Sequence, residues 1–282
     1  MTEDQALGMM VGCAVGDAFG APFEFKRPEE IMLRDIADDY TIGGAHDVSY
    51  GEWTDDTAMM LASAYAYADH GGFSPRKIVR NFKKWRAGKD FGTRSYVFDI
   101  GGTTDTAIED MTEERPYMGQ DVDFASGNGS IMRVAPAIIA NHGNIYRAVA
   151  DSVALSLMTH GNDDTIRYIT AFSSEMVHGK WLGENTSLRR WKVDTDVGTG
   201  TIMHSYAVAW RADHFHGDNF LDAMKYVVEL GYDTDTNCAV TGMLLGRLYG
   251  MKCIPQHLID GLQQVDKIKS VAKRLYKIGE VK

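Results

Sequence analysis

The chain has 282 residues, 44% of them apolar, and 39 acidic side chains against 29 Lys and Arg give a net charge of −10. That acid excess argues against a general nucleic-acid binder, whose footprint is a basic surface. Three widely spaced cysteines without a CxxC pair predict reduced thiols in a cytoplasmic setting, and with 6 prolines and no low-complexity linker the chain reads as one domain, 1–282.

The acidic opening Met1-Thr2-Glu3-Asp4-Gln5 lacks a signal-peptide pattern, and no stretch is expected to reach the roughly 18–20 apolar residues of a membrane span. Thr2-x-x-Gln5 is a capping box, followed by Ala6, Met9, Met10, Cys13 and Ala14 at helical spacing. Glycines recur on this helix at Gly8, Gly12, Gly16 and Gly20, and near the other end of the chain at Gly242, Gly246 and Gly250. Each costs a helix about 1 kcal/mol relative to alanine, which close approach of two backbones would offset. The two segments are therefore expected near the middle of a bundle, against each other; the alternative is coincidence in a glycine-rich chain. Thr54-Asp55-Asp56 opens an amphipathic helix through Met59, Met60, Ala62, Ser63 and Ala66, and Ser74-Pro75 opens the next. Further helical patterns fall near 103–111, 130–141, 145–158, 164–178, 201–213, 218–230, 236–249, 256–262 and 265–277. Only Tyr40-Thr41-Ile42 and Trp191-Lys192-Val193 suggest strands, so the fold class is all-α.

Thr54-Asp55-Asp56-Thr57 and Asp233-Thr234-Asp235-Thr236 each place two carboxylates and flanking hydroxyls at a helix start. A helix N-terminus favours negative charge by about 0.3–1 kcal/mol, and Asp, Ser and Thr are ordinary N-caps. The same oxygens are hard ligands suited to Mg²⁺ or Mn²⁺. Spacing alone leaves both readings open. Ser126-Gly127-Asn128-Gly129-Ser130-Ile131-Met132-Arg133 is a glycine-rich loop whose amides could cradle a phosphate, and Asp99-Ile100-Gly101-Gly102-Thr103-Thr104 has the same character. Thr159-His160 ends an apolar helix, where a histidine is as readily a packing residue as a ligand contact.

In this order the segments resemble the ADP-ribosylglycohydrolase family. The matching stretches are Gly12 to Glu24, Trp53 to Met59, Asp99 to Thr104, Gly127 to Arg133, Thr159-His160 and Asp233 to Ala239. The resemblance implies a compact orthogonal helical bundle with a central dinuclear Mg²⁺ or Mn²⁺ site. It assigns Thr54, Asp55 and Asp56 as ligands from one side, and Asp233, Asp235 and Thr236 from the other. Two divalent ions would nearly neutralise these aspartates and Glu24, which otherwise repel one another. By the same resemblance Glu24 or Asp99 serves as general acid or base, the choice between them being open, while Gly101, Gly127, Asn128, Gly129, Ser130, Met132, Arg133 and His160 bind substrate. The implied activity is hydrolysis of the glycosidic bond between ADP-ribose and an acceptor, by a monomer; charge and apolar length separately predict no membrane partner and no general nucleic-acid binding, while a serine or a nucleobase also remains open as the acceptor. The implied partner is an ADP-ribosylated protein, modified on arginine, or a small ADP-ribose conjugate such as O-acetyl-ADP-ribose. A metal-binding, non-catalytic crystallin-like member is a further alternative. The chain departs from the family at Gly231-Tyr232, where Gly-Gly is usual, at Gly102, where Asn is common, and at Gly161-Asn162-Asp163-Asp164, which lacks a usual Pro. Two rival all-α classes fit less well. A terpenoid synthase needs Asp-Asp-x-x-Asp, and Met59 stands at the third acid; an HD-type phosphohydrolase finds only His46-Asp47 without companion histidines.

Overall fold

A computed structural model of the chain describes residues 1–33, 35–121, 126–182 and 199–281. Among the described residues there are helices and turns but no strand, only isolated bridges such as Gly43 with Val48. The expected strand at 40–42 is absent; Tyr40 instead buries its ring and donates its hydroxyl to the Leu258 carbonyl at 2.8 Å. The 191–193 candidate lies outside the described residues.

Helix α1 (Glu3–Gly20) opens with the predicted capping box: Gln5 N donates to Thr2 Oγ1 at 3.2 Å and Thr2 N to Gln5 Oε1 at 2.9 Å. A short α2 (Pro28–Met32), absent from the sequence pattern, precedes α3 (Asp55–His70), α4 (Pro75–Arg86) and α5 (Gly102–Asp110). The single helix expected over 130–141 is divided into a 3₁₀ turn, Ile131–Arg133, and α6 (Ala135–Ile139). Pro136 explains the break, because it lacks an amide hydrogen and its ring clashes with the carbonyl four residues back. Then come α7 (Ile145–Leu157), α8 (Asp163–His178), α9 (Ile202–His216) and α10 (Phe220–Glu229), each begun by an Asn or Thr whose side chain accepts from the first turn. The chain finishes with α11 (Thr234–Tyr249), α12 (Gln256–Gly261) and α13 (Val265–Val281).

The glycine rows meet. A Cβ on Gly8 would stand 2.4 Å from the Gly246 oxygen, one on Gly12 2.2 Å from that of Gly242, and one on Gly16 2.1 Å from that of Cys238. Helices α1 and α11 are thus antiparallel and in backbone contact along their length. At the end of the seam Thr234 donates its hydroxyl to the Gly20 carbonyl at 2.8 Å, tying the C-terminus of α1 to the N-terminus of α11. Other helices surround α1, and from Met9 to Gly20 every residue is buried. This corrects the expectation about apolar length: Glu3–Phe23 is long and apolar enough to cross a membrane, but 94% of that window is buried inside the fold. A helix covered on all sides is apolar all round, so composition does not separate it from a span.

Gly12→Ala should lower unfolding free energy by about 3 kcal/mol, the upper end of ordinary overpacking penalties, because the obstacle is backbone. Gly102→Ala should be near neutral in the same denaturant titration, since nothing lies within 4 Å of the place its methyl would occupy.

Candidate active site

Asp17, in the last turn of α1, governs how α3 begins. Its carboxylate accepts from Thr54 N at 2.9 Å, Thr54 Oγ1 at 3.0 Å, Thr57 N at 3.0 Å and Thr57 Oγ1 at 2.6 Å. Thr57 supplies the third amide of α3, the usual target of an N-cap side chain. The cap expected of Thr54 is therefore provided by another helix, and Thr54 makes no cap bond of its own. Asp233 likewise precedes α11 without a side-chain cap. The simple capping reading of both acidic segments fails on these observations.

The two helix starts converge. Thr236 Oγ1 donates to Asp56 Oδ2 at 3.2 Å, and Thr54 Oγ1 lies 3.4 Å from Asp235 Oδ2. Asp55, Asp233, Asp235 and Thr236 line a cleft of about 480 Å³, with Thr54 and Asp56 one layer deeper. Asp17, Asp56 and Asp235 bring carboxylate oxygens within 4.8 Å of one another. Asp17 is already saturated by its Thr donors, whereas Asp56 Oδ1 and Asp235 Oδ1 are buried without a hydrogen-bond partner. Asp17 is accordingly the anchor behind the open oxygens. Burial first, then repulsion among the neighbours, pushes Asp55, Asp56 and Asp235 well above the carboxylate range; burial raises Asp17 too, but its Thr donors limit it to about 6. Unpartnered, crowded, all-oxygen donors on two rigid helix ends are the chemistry that hard divalent cations relieve.

At the rim, Glu24 follows the 3₁₀ turn after α1, and Asp99 sits on the loop before α5. His46 joins them: its Nε2 lies 3.0 Å from Glu24 Oε2 and 3.1 Å from Asp99 Oδ1. Burial, reinforced by Asp99 and Asp233, pushes Glu24 up to about 9, and the bond to Asp99 raises His46. Arg94 sets this junction. It grips Glu52 through Nε and Nη2, both at 2.8 Å, donates to the His46 carbonyl at 3.1 Å and the Asp47 carbonyl at 3.0 Å, and covers the Phe98 ring at 4.1 Å. One guanidinium thereby pins the loop carrying His46 to the loop carrying Asp99. His46 faces Glu24 and Asp99, not a dyad partner at Asp47, which removes the last feature of the HD-type alternative.

The opposite wall holds Gly101, Gly127, Asn128, Gly129, Met132 and His160. The Asn128 amide hydrogen is used internally, bonding the Gly200 carbonyl at 3.0 Å, and Asn128 Nδ2 donates to Asp233 Oδ2 at 2.7 Å. A methyl at Gly129 would stand 3.0 Å from His160 Cε1 and 3.2 Å from Thr104 Oγ1, so the loop and imidazole fit only with glycine there. Two expected substrate contacts are placed elsewhere. Ser130 is buried beneath the loop, and Arg133 turns into the core, where it donates to the Gly129 carbonyl at 2.8 Å and to Thr159. Asp17 and His46 were absent from the sequence-derived site. Only Asp17's place in an otherwise apolar helix signalled it. A larger cavity of about 750 Å³, lined by Arg115, Tyr117 and Gln120, adjoins the cleft through Gly102 and Thr103.

An acid-floored cleft between helix N-termini, in a bundle without sheets among the described residues, places the chain with helical proteins that gather carboxylates at their centre. The fold is that of a solved structure described as an ADP-ribosylglycohydrolase-related protein complex, with a TM-score of 0.84, 26% identity and 98% of each chain covered. Residues 1–282 match the family model described as ADP-ribosylglycohydrolase, and the chain belongs to that family. It is 28% identical to an ADP-ribosylarginine hydrolase, Tri1, of Serratia proteamaculans, over 97% of this chain and 79% of that protein. It is 29% identical to the ADP-ribosyl-[dinitrogen reductase] glycohydrolase of Rhodospirillum rubrum, over 96% of this chain and 97% of the relative.

Added Mg²⁺ or Mn²⁺ should raise the thermal midpoint of the wild-type protein, by about 2.7 kcal/mol of stability at a hundredfold excess over the dissociation constant. Asp56→Asn should fold at least as stably without cation, having lost one repulsive charge, and should show no cation-dependent rise in calorimetry.

Proposed function

We propose that this protein is a metal-dependent hydrolase that releases ADP-ribose from arginine side chains of modified proteins, acting as a monomer in the cytoplasm. The carrying observation is the meeting of two distant Asp/Thr helix starts around buried carboxylate oxygens that have no protein partner. Thr54, Asp55, Asp56, Asp233, Asp235 and Thr236 would hold two ions, Mg²⁺ or Mn²⁺. When bound, such ions orient ribose hydroxyls and lower the pKa of an attacking water. The arginine acceptor is supported by the relative named an ADP-ribosylarginine hydrolase. The free state of Cys13, Cys238 and Cys253 fits a reducing compartment.

The chain's own residues have distinct tasks. The Gly127–Gly129 loop and the N-terminus of α5 flank the cleft and suit the diphosphate of ADP-ribose. As the glycosidic bond breaks, positive charge grows on the ribose, as in other glycoside hydrolyses. Glu24 and Asp99, joined through His46, would supply a proton to the departing guanidine nitrogen and accept one from water. Phe25 and Tyr232, exposed aromatics at the cleft's edge, offer flat faces to a guanidinium beside those acids. Both have positive φ, 63° and 56°, and they pair through Phe25 N to the Tyr232 carbonyl at 2.6 Å.

The deciding experiment is incubation with defined conjugates, on arginine, on serine and as O-acetyl-ADP-ribose, scoring free ADP-ribose with Mg²⁺ or Mn²⁺ and with EDTA. Release from the arginine conjugate, stopped by EDTA and by Asp55→Ala or Asp235→Ala in a folded protein, is expected. Undiminished turnover in excess EDTA would refute the mechanism, and no release from any conjugate would favour the crystallin-like alternative. Tyr232→Gly should leave stability unchanged or improved, since glycine suits that φ, while raising KM for the arginine conjugate about threefold to tenfold, as expected for a lost cation–π contact at a partly exposed site.

A further inference from the structure

Behind the glycine-rich loop runs a buried chain of polar groups that the cleavage chemistry does not call upon. Arg133 is fully buried, and its Nη2 donates to Thr159 Oγ1. A guanidinium has no acceptor, so the direction of that bond is fixed. Thr159 Oγ1 lies 2.7 Å from His160 Nδ1, and among the described residues no third group bonds the hydroxyl. If Nδ1 carried a proton, Thr159 would receive from two donors and its own buried hydrogen would go unmatched, a cost of about 1–3 kcal/mol. The satisfied arrangement has Arg133 donating to Thr159 and Thr159 donating to Nδ1. The ring's proton then resides on Nε2.

Nε2 is aimed at the ligand side. It lies 3.3 Å from the positions a methyl would take on Gly127 and on Gly129, and His160 lines the cleft. Nε2 has no hydrogen-bond partner among the described residues. Burial, with Arg133 adding to it, holds the imidazolium down at about 3, so the ring is neutral across the physiological range.

We propose that Arg133 and Thr159 are positioning residues that lock His160 as its Nε2–H tautomer, making it a neutral donor to an acceptor oxygen of the bound ADP-ribose moiety. The ligand part of this rests on the reading of the cleft given above; the tautomer does not. A ring presenting its lone pair to a phosphate oxygen, which has no hydrogen to give, would repel it, and a charged ring would be expelled from so dry a site. The chain also explains why Arg133 is inside the fold: its charge orients the hydroxyl that orients the imidazole.

The test combines imidazole ¹⁵N spectroscopy of the labelled protein, His160 being assigned by its loss in His160→Gln, with calorimetric titration of ADP-ribose. The wild-type ring should be protonated on Nε2, with Nδ1 shifted by an accepted hydrogen bond. Thr159→Val should move Nδ1 to the position of an unbonded nitrogen and weaken ADP-ribose about tenfold, and Thr159→Ser should restore both. A wild-type ring protonated on Nδ1 overturns the proposal, as does Thr159→Val with both readouts unchanged. Should Thr159→Val fail to fold, the wild-type spectrum and Thr159→Ser decide. An Nε2–H ring in a wild-type protein that binds no ADP-ribose would support the lock and overturn the ligand assignment of the cleft.

Discussion

Helix α1 touches α11 backbone to backbone, and the cleft depends on that seam. Gly8, Gly12, Gly16 and Gly20 allow two helices to approach more closely than side chains would permit. Their separation then sets where α11 starts, because Thr234 is tied to the last residue of α1. The same helix carries Asp17, whose carboxylate caps α3 from outside. One buried helix thus registers both acidic helix starts, one by backbone contact and one by four charge-assisted hydrogen bonds. Neither contact lies at the cleft surface, yet a shift in either would move the carboxylates relative to one another.

The floor is locally unfavourable without a counter-charge. Buried carboxylates with open oxygens repel one another, and burial alone already disfavours their ionised form. Such a cluster persists because the rest of the fold over-determines it: the helix ends cannot separate without opening the glycine seam or breaking the Asp17 cap. Stability is given up at the place where charge is useful, a common trade at functional sites. The distinction between Asp17 and its neighbours matters here. Both are buried aspartates, but Asp17 commits its oxygens to protein donors, while Asp56 and Asp235 keep one each in reserve.

The rim follows a different logic. Glu24, His46 and Asp99 come from three loops, which a loop scaffold holds less firmly than helices do. Arg94 compensates by binding the carbonyls beside His46 and the carboxylate of Glu52 at once, with Phe98 packed on its face. Across the cleft, Arg133 has a comparable part from inside the core, through Gly129 and Thr159. Two arginines thus shape an acidic cleft without lining it. Their charge is directed at carbonyls and hydroxyls that position other groups, which is why a motif reading placed Arg133 among the ligand contacts.

Much was legible in the primary structure because it is local or periodic. Helical spacing, the capping box at Thr2 and the every-fourth-residue glycines all act within one or two turns, so order along the chain suffices to see them. The Asp55-Asp56 and Asp233-x-Asp235 segments stood out because their composition exceeds what capping requires. The apolar length of α1 was underestimated, since a helix covered on all sides is apolar all round and its glycines hid the length of the run. What only the tertiary structure decided is which distant groups share a proton or a donor. Asp17 capping α3, His46 between Glu24 and Asp99, and Arg133 turned inward toward Thr159 are pairings across tens of residues. Hydrogen bonds act over about 3 Å, and no one-dimensional pattern encodes that proximity.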